Sequence, residues 1–132
     1  MTEYLLSIYQ PAGEPPPPET AEKVTHSVET FTRELRDAGA LVFTGALQPP
    51  SAATVLRPLY DQVLATDGPF AEGREHLAGF WVIAVPEMRD AREWARRAAR
   101  AVTLPVELRP FHARVGGADA QPEGTVSSSP AI

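Results

Sequence analysis

The 132-residue chain has no cysteine, which excludes disulfides, thiolate metal sites, iron–sulfur clusters and cysteine nucleophiles together. Histidine is scarce as well: three scattered imidazoles do not make a ligand cluster, so no metal is expected. Lysine is nearly missing, with Lys23 alone among 12 basic residues, a bias that fits a GC-rich genome and says nothing about mechanism. The formal charge of −5 argues against a polyanion binder, because phosphate-backbone affinity comes largely from neutralising cations. Nucleic acid is therefore not an expected partner. Long apolar runs are also missing. The opening MTEYLLSIYQ has Glu3 where a signal peptide is basic, and its apolar stretch is too short for a membrane span. No membrane association and a cytoplasmic location are the expectations. A phosphate-cradling Gly-rich loop and a nucleophile elbow are absent too, and no cofactor is implied.

What remains is an ordinary globular composition, 43% hydrophobic and 22% charged, of a length that suits one core. Residues 3–9, EYLLSIY, predict a strand with Tyr4, Leu6 and Ile8 on one face and Leu5, Ser7 and Tyr9 on the other. PAGEPPPPET predicts a stiff loop, with Thr20 as the N-cap of a helix over 21–38. Val24, Val28, Phe31 and Leu35 form one helical stripe there, and Gly39 ends it. A strand over 40–47 follows. A hairpin is predicted with arms 54–57 and 62–66 and a turn over 58–61. The strongest strand runs over 77–85, apolar on both faces, and stops at Pro86. A second helix over 87–102 aligns Ala91, Trp94, Ala95, Ala98 and Val102, and a last strand over 106–112 contains Pro110, which favours an edge. Residues 113–132 read as a flexible tail beyond a domain of residues 1–112.

This order is a ferredoxin-like α+β pattern with an extra hairpin. Two helices cover one face of such a sheet, yet the strands are apolar on both. An uncovered face of that size exceeds what soluble monomers expose. A second copy of the sheet is the economical cover, giving a homodimeric α+β barrel.

Three segments carry a resemblance: YLLSIY, FTRELRDAGALVFTGALQPP and ATDGPFAEGREHLAGFWVIAVPEMRDAREWA. Through them the chain resembles the YCII-related, or DGPF-domain, family of small bacterial proteins. The resemblance implies a dimeric α+β barrel. Relatives in the wider barrel group include lactone isomerases, small monooxygenases and a dehydrochlorinase.

The candidate site centres on the DGPF stretch. Asp67 is a candidate proton-transfer group at a strand end, with an Asx-type turn as the structural alternative. Phe70 is a candidate ligand contact. Glu72 and Arg74 are candidate ligand-binding residues that could equally pair with each other at ~0–1 kcal/mol. His76 is a candidate acid or base, since imidazole changes charge near neutrality; a solvent-facing histidine is the alternative, and His112 is similarly ambiguous. Arg109 shares a strand face with Glu107 and Phe111, and an Arg in a barrel cavity needs an anionic partner, namely Glu72, Asp67 or an acidic ligand. Some relatives use a helix-borne His with an Asp, but His26 falls on the solvent face with Glu29 and Arg33, so that dyad is not carried over. Arg89, Arg92, Arg96, Arg97 and Arg100 form a basic stripe on the second helix, either a docking surface or, preferably, a solvated face paired with acids.

Two functions follow. The first is a small-molecule enzyme or ligand-binding protein using cofactor-free acid/base chemistry of isomerase, lyase or dehydrochlorinase type. The second is a non-enzymatic accessory dimer binding a protein partner or metabolite.

Overall fold

The two segments with the strongest apolar alternation lie side by side at the centre of a sheet. These are β1 (Thr2–Pro11) and β5 (Glu75–Val85), in a computed structural model that describes residues 1–71 and 73–113. β2 (Leu41–Ala46) flanks β5 and β6 (Val106–Pro110) flanks β1, so the order is β2-β5-β1-β6 with every neighbouring pair antiparallel. Helices α1 (Pro18–Asp37) and α2 (Met88–Val102) supply the two crossovers. This is the ferredoxin-like α+β arrangement expected from the order of elements. Between β2 and β5 a short 3-10 turn (Pro50–Ala52) leads into a separate two-stranded hairpin, β3 (Thr54–Leu59) and β4 (Gln62–Asp67).

Both helices pack on one face. Tyr4, Leu6 and Ile8 from β1 and Trp81, Ile83 and Val85 from β5 meet Phe31 and Leu35 of α1 and Ala91, Ala98 and Val102 of α2. Trp81, Leu6, Leu35 and Ile83 are the largest fully buried side chains, each stabilising by about 1.5–3 kcal/mol. Phe31 stands edge-on to Trp81 with centroids 5.0 Å apart. The Trp81 indole Nε1–H donates to Thr32 Oγ1 at 3.0 Å, and that hydroxyl donates onward to the Val28 carbonyl at 2.8 Å. A buried polar hydrogen is thereby satisfied within the α1 stripe.

Among the described residues, no helix lies on the other face. Across it the register lines up Phe43, Val82, Leu5 and Arg109 in one row, and Gly45, Phe80, Ser7 and Glu107 in the next. Phe43 is 60% exposed. β2 is bulged between Leu41 and Phe43, while β6 is only five residues long and ends in Pro110.

Several boundaries differ from expectation. Helix α1 begins at Pro18 with Pro17, not Thr20, at its N-cap, because proline's fixed φ suits a first turn whose N–H groups are unpaired in any case. The hairpin arms are longer than predicted and the turn shrinks to Tyr60-Asp61. Pro58 reads as a breaker, but a two-stranded ribbon has a free edge on each strand where a missing donor costs nothing. β5 starts two residues earlier, at Glu75, and β6 stops at Pro110. Gly39 takes φ +73° just past α1, as a helix terminator should. The predicted tail falls, apart from Ala113, outside the described residues.

Candidate active-site cleft

The hairpin and β5 are joined by the DGPF stretch, and its geometry decides which candidates can act together. Asp67 closes β4, paired with Thr54 and exposed to solvent. Gly68 adopts φ +108° and its N–H donates to the Ala53 carbonyl at 2.7 Å, so the backbone turns sharply away from the hairpin. Phe70 is then thrust outward, 74% exposed, with the Arg57 guanidinium of β3 5.2 Å from its ring centre. The Arg74 carbonyl accepts the Ala12 N–H at 2.6 Å, which anchors the start of β5 beside the end of β1.

His76 sits in that anchored segment, opposite Gln10 of β1 and half-buried. With Pro69, Phe70 and Leu77 on one side and Leu47, Gln48, Pro49 and Pro50 on the other, it lines an open cleft of about 550 Å3. It also lines a second depression of about 510 Å3 together with Gln10, Pro11, Ala12 and Gly13. His76 and Phe70 are therefore brought together. Asp67 and Arg74 do not line this cleft, and Glu72 lies outside the described residues.

Arg109 is elsewhere. It stands opposite Leu5 on the uncovered sheet face, five residues along β1 from Gln10, a run of roughly 17 Å at strand rise. Its guanidinium donates to both Glu107 carboxylate oxygens, at 2.9 and 3.0 Å. That hydrogen bond, reinforced by the Glu107 charge, raises the Arg109 pKa beyond its ordinary value. Among the described residues the partner of Arg109 is Glu107; of the alternatives the sequence offered, Asp67, Glu72 or an acidic ligand, Glu72 lies outside the described residues.

The basic stripe on α2 is largely paired. Arg89 meets Glu87 at 3.1 Å, Arg96 meets Glu93 at 2.9 Å, and Arg97 reaches Glu34 of α1 at 2.6 Å while lying 4.3 Å over the Trp94 ring. This is a solvated face that also ties the helices together, and it takes support away from the docking reading. His26 is exposed on α1, as its helical position predicts.

A larger groove of about 590 Å3 opens between α1 and the β2 edge, lined by Val28, Thr32, Arg33, Arg36, Thr44 and Trp81 among others. Sequence reasoning did not flag it. Its one readable signal was Thr32, a hydroxyl set inside the Val28, Phe31, Leu35 stripe.

With this geometry in place, comparison with known proteins settles the lineage. Residues 1–103 match the YCII-related domain. The chain belongs to the YCII-related family. An uncharacterized protein of Rhizobium meliloti (strain 1021) is 34% identical over 95 residues, spanning 70% of this chain and 77% of its own length. The YCII-related match runs from β1 through α2 and leaves β6 beyond it. Among the described residues no helix is long and apolar enough to cross a membrane.

Proposed function

We propose that this YCII-related protein binds a small organic molecule in the His76 cleft and acts on it by cofactor-free proton transfer, of isomerase or lyase type. The observation that carries this reading is the half-buried imidazole of His76 in a cleft walled by prolines, Leu47, Leu77 and the outward-held Phe70. Such a site binds an apolar body while one convergent polar group does the chemistry. His76 moves the proton and Phe70 packs against the ligand. Asp67, one residue before the turn, contributes at most a nearby negative charge. The protein works as a homodimer in which the uncovered sheet faces meet, because their apolar rows otherwise remain in water. In that assembly the Arg109–Glu107 pair lines the interior between the sheets.

A thermal-shift screen of small carbonyl and carboxylate compounds identifies the ligand, since one present at 100 times its Kd stabilises by about 2.7 kcal/mol. His76→Ala is then expected to lower kcat on a turned-over hit by roughly 10²–10⁴-fold with an unchanged circular dichroism spectrum. Full turnover by that variant would remove His76 from the mechanism.

A further inference from the structure

The β3–β4 hairpin is the least explained element of the molecule. Its strands pair with each other, and neither packs beyond marginal contact against the helices or the four-stranded sheet. A two-stranded hairpin on its own is at best marginally stable in water. Yet this one is rich in large apolar side chains, with Leu56 65%, Leu59 48%, Tyr60 96%, Val63 63% and Leu64 46% exposed.

The two faces are not equivalent. The register puts Val55, Arg57, Leu59 and Leu64 on one face, and Leu56, Pro58, Val63 and Ala65 on the other. Only the base of the first face meets its own chain, where Arg57 lies over Phe70 and Val55 is half-buried, and Leu59 and Leu64 on that face are less exposed than Leu56 and Val63 opposite. The second is the free face, and Leu56 and Val63 are its most exposed large residues. At the tip, Tyr60 holds φ +57°, a conformation that glycine or asparagine adopts at lower cost. The two-residue turn itself demands positive φ there, so what stands out is the side chain: an aromatic 96% exposed at the tip.

We infer that the free hairpin face and Tyr60 dock on a second copy of this chain, clasping the partner protomer. The inference rests on the facing-sheet dimer proposed above and adds an element to it. Area favours this occupant: at the exposures of Leu56, Val63 and Tyr60, these three residues offer on the order of 500 Å2 of the roughly 800 Å2 per partner that a stable dimer hides. The hairpin alone falls short, and the uncovered sheet face on the same chain supplies the remainder. Charge disfavours a lipid surface. Asp61 adjoins Tyr60 and the chain carries −5 overall, which repels anionic headgroups. The clasp also bears on the candidate site, because Arg57 of the hairpin touches Phe70 and Phe70 walls the His76 cleft.

Sedimentation of the full chain over a concentration series tests the clasp. The wild type is expected to dimerise, Leu56→Asp with Val63→Asp to raise the dimer Kd roughly a hundredfold, and Tyr60→Gly roughly tenfold. Both variants keep a folded circular dichroism spectrum, since the hairpin lies outside the core. Unchanged dimerisation of the double variant overturns the clasp. In that case a dissociated Phe80→Glu control leaves the facing-sheet dimer standing, whereas a monomeric wild type removes both. As a second measurement, Leu56→Cys gives the cysteine-free chain one thiol for a polarity-sensitive dye. A blue shift that grows with protein concentration supports the clasp. No shift, or a shift with anionic vesicles only, overturns it.

Discussion

At the scale of single residues, two glycines on facing strands divide sharply. A Cβ at Gly79 would meet the Gly45 carbonyl oxygen at 2.9 Å, backbone that cannot rotate away. Strand β2 approaches β5 that closely because Gly79 has no side chain. Gly79→Ala is therefore expected to destabilise by about 1–3 kcal/mol, the usual cost of overpacking. A Cβ at Gly45 would instead rest 3.5 Å from the Phe80 ring, an ordinary contact. Gly45→Ala is expected to be neutral or to stabilise by up to about 1 kcal/mol through the unfolded chain. Urea melts of the two variants check this, and equal effects would refute the close-approach account. Residue-scale chemistry was only partly legible in the sequence. The pairing of Arg109 with Glu107 is readable in principle, since i and i+2 share a strand face, but strand alternation does not choose between that neighbour, Asp67, Glu72 and an acidic ligand. His76 was legible as a candidate because it lies at the entry to the strongest strand, whereas its cleft was not, because the opposing wall comes from Leu47 to Pro50, nearly thirty residues away along the chain.

At the scale of elements, termini carry the remaining local signals. Helix α2 starts on a capping arrangement in which the Glu87 N–H donates to Asp90 Oδ2 at 3.1 Å, which satisfies a first-turn donor. It ends on Thr103 at φ +56° and ψ +33°, where a β-branched side chain is strained by about 1–2 kcal/mol. Glycine relieves that strain and forfeits part of the gain as chain entropy. Thr103→Gly should accordingly raise stability by about 0.5–1 kcal/mol, measured as an increase in Tm; a decrease would show that the Thr103 hydroxyl, bonded to the Val102 carbonyl at 2.6 Å, matters more than the backbone. The helices themselves were plain in the sequence, because Val24, Val28, Phe31 and Leu35 repeat at helical spacing and tertiary packing uses the same stripe. The hairpin is legible in the sequence with arms shorter than the observed Thr54–Leu59 and Gln62–Asp67, since Pro58 signals a break that a two-stranded ribbon does not feel. Its detachment from the body was invisible, because alternation reports that a face is apolar and not what covers it.

At the scale of the whole molecule, the one-sided placement of the helices governs behaviour. Phe80 lies on the uncovered face, 5.9 Å from Phe43 between ring centres, in a row with Gly45 and Ser7. Phe80→Glu places a carboxylate there without touching the Trp81 side of the sheet. The variant is expected to fold with near-native thermal stability as a protomer and to sediment as a monomer at micromolar concentration. A dimer that survives the charge would mean that the sheets do not face each other. The family assignment follows from residues 1–103, and the apolar character of both faces of the central strands is legible in the sequence.

The rim of the sheet has a further consequence. On one side the ladder is interrupted by the β2 bulge, and on the other it stops after five residues at a proline. Neither border of the four-stranded sheet offers a long, regular row of unpaired amides, so strand-by-strand accretion onto that sheet is disfavoured. Molecules of this kind can still meet broadside, and a broadside encounter related by a two-fold axis completes itself at two copies. The irregular border thus works against edge-to-edge growth of the main sheet and leaves its apolar face as the broader surface for contact.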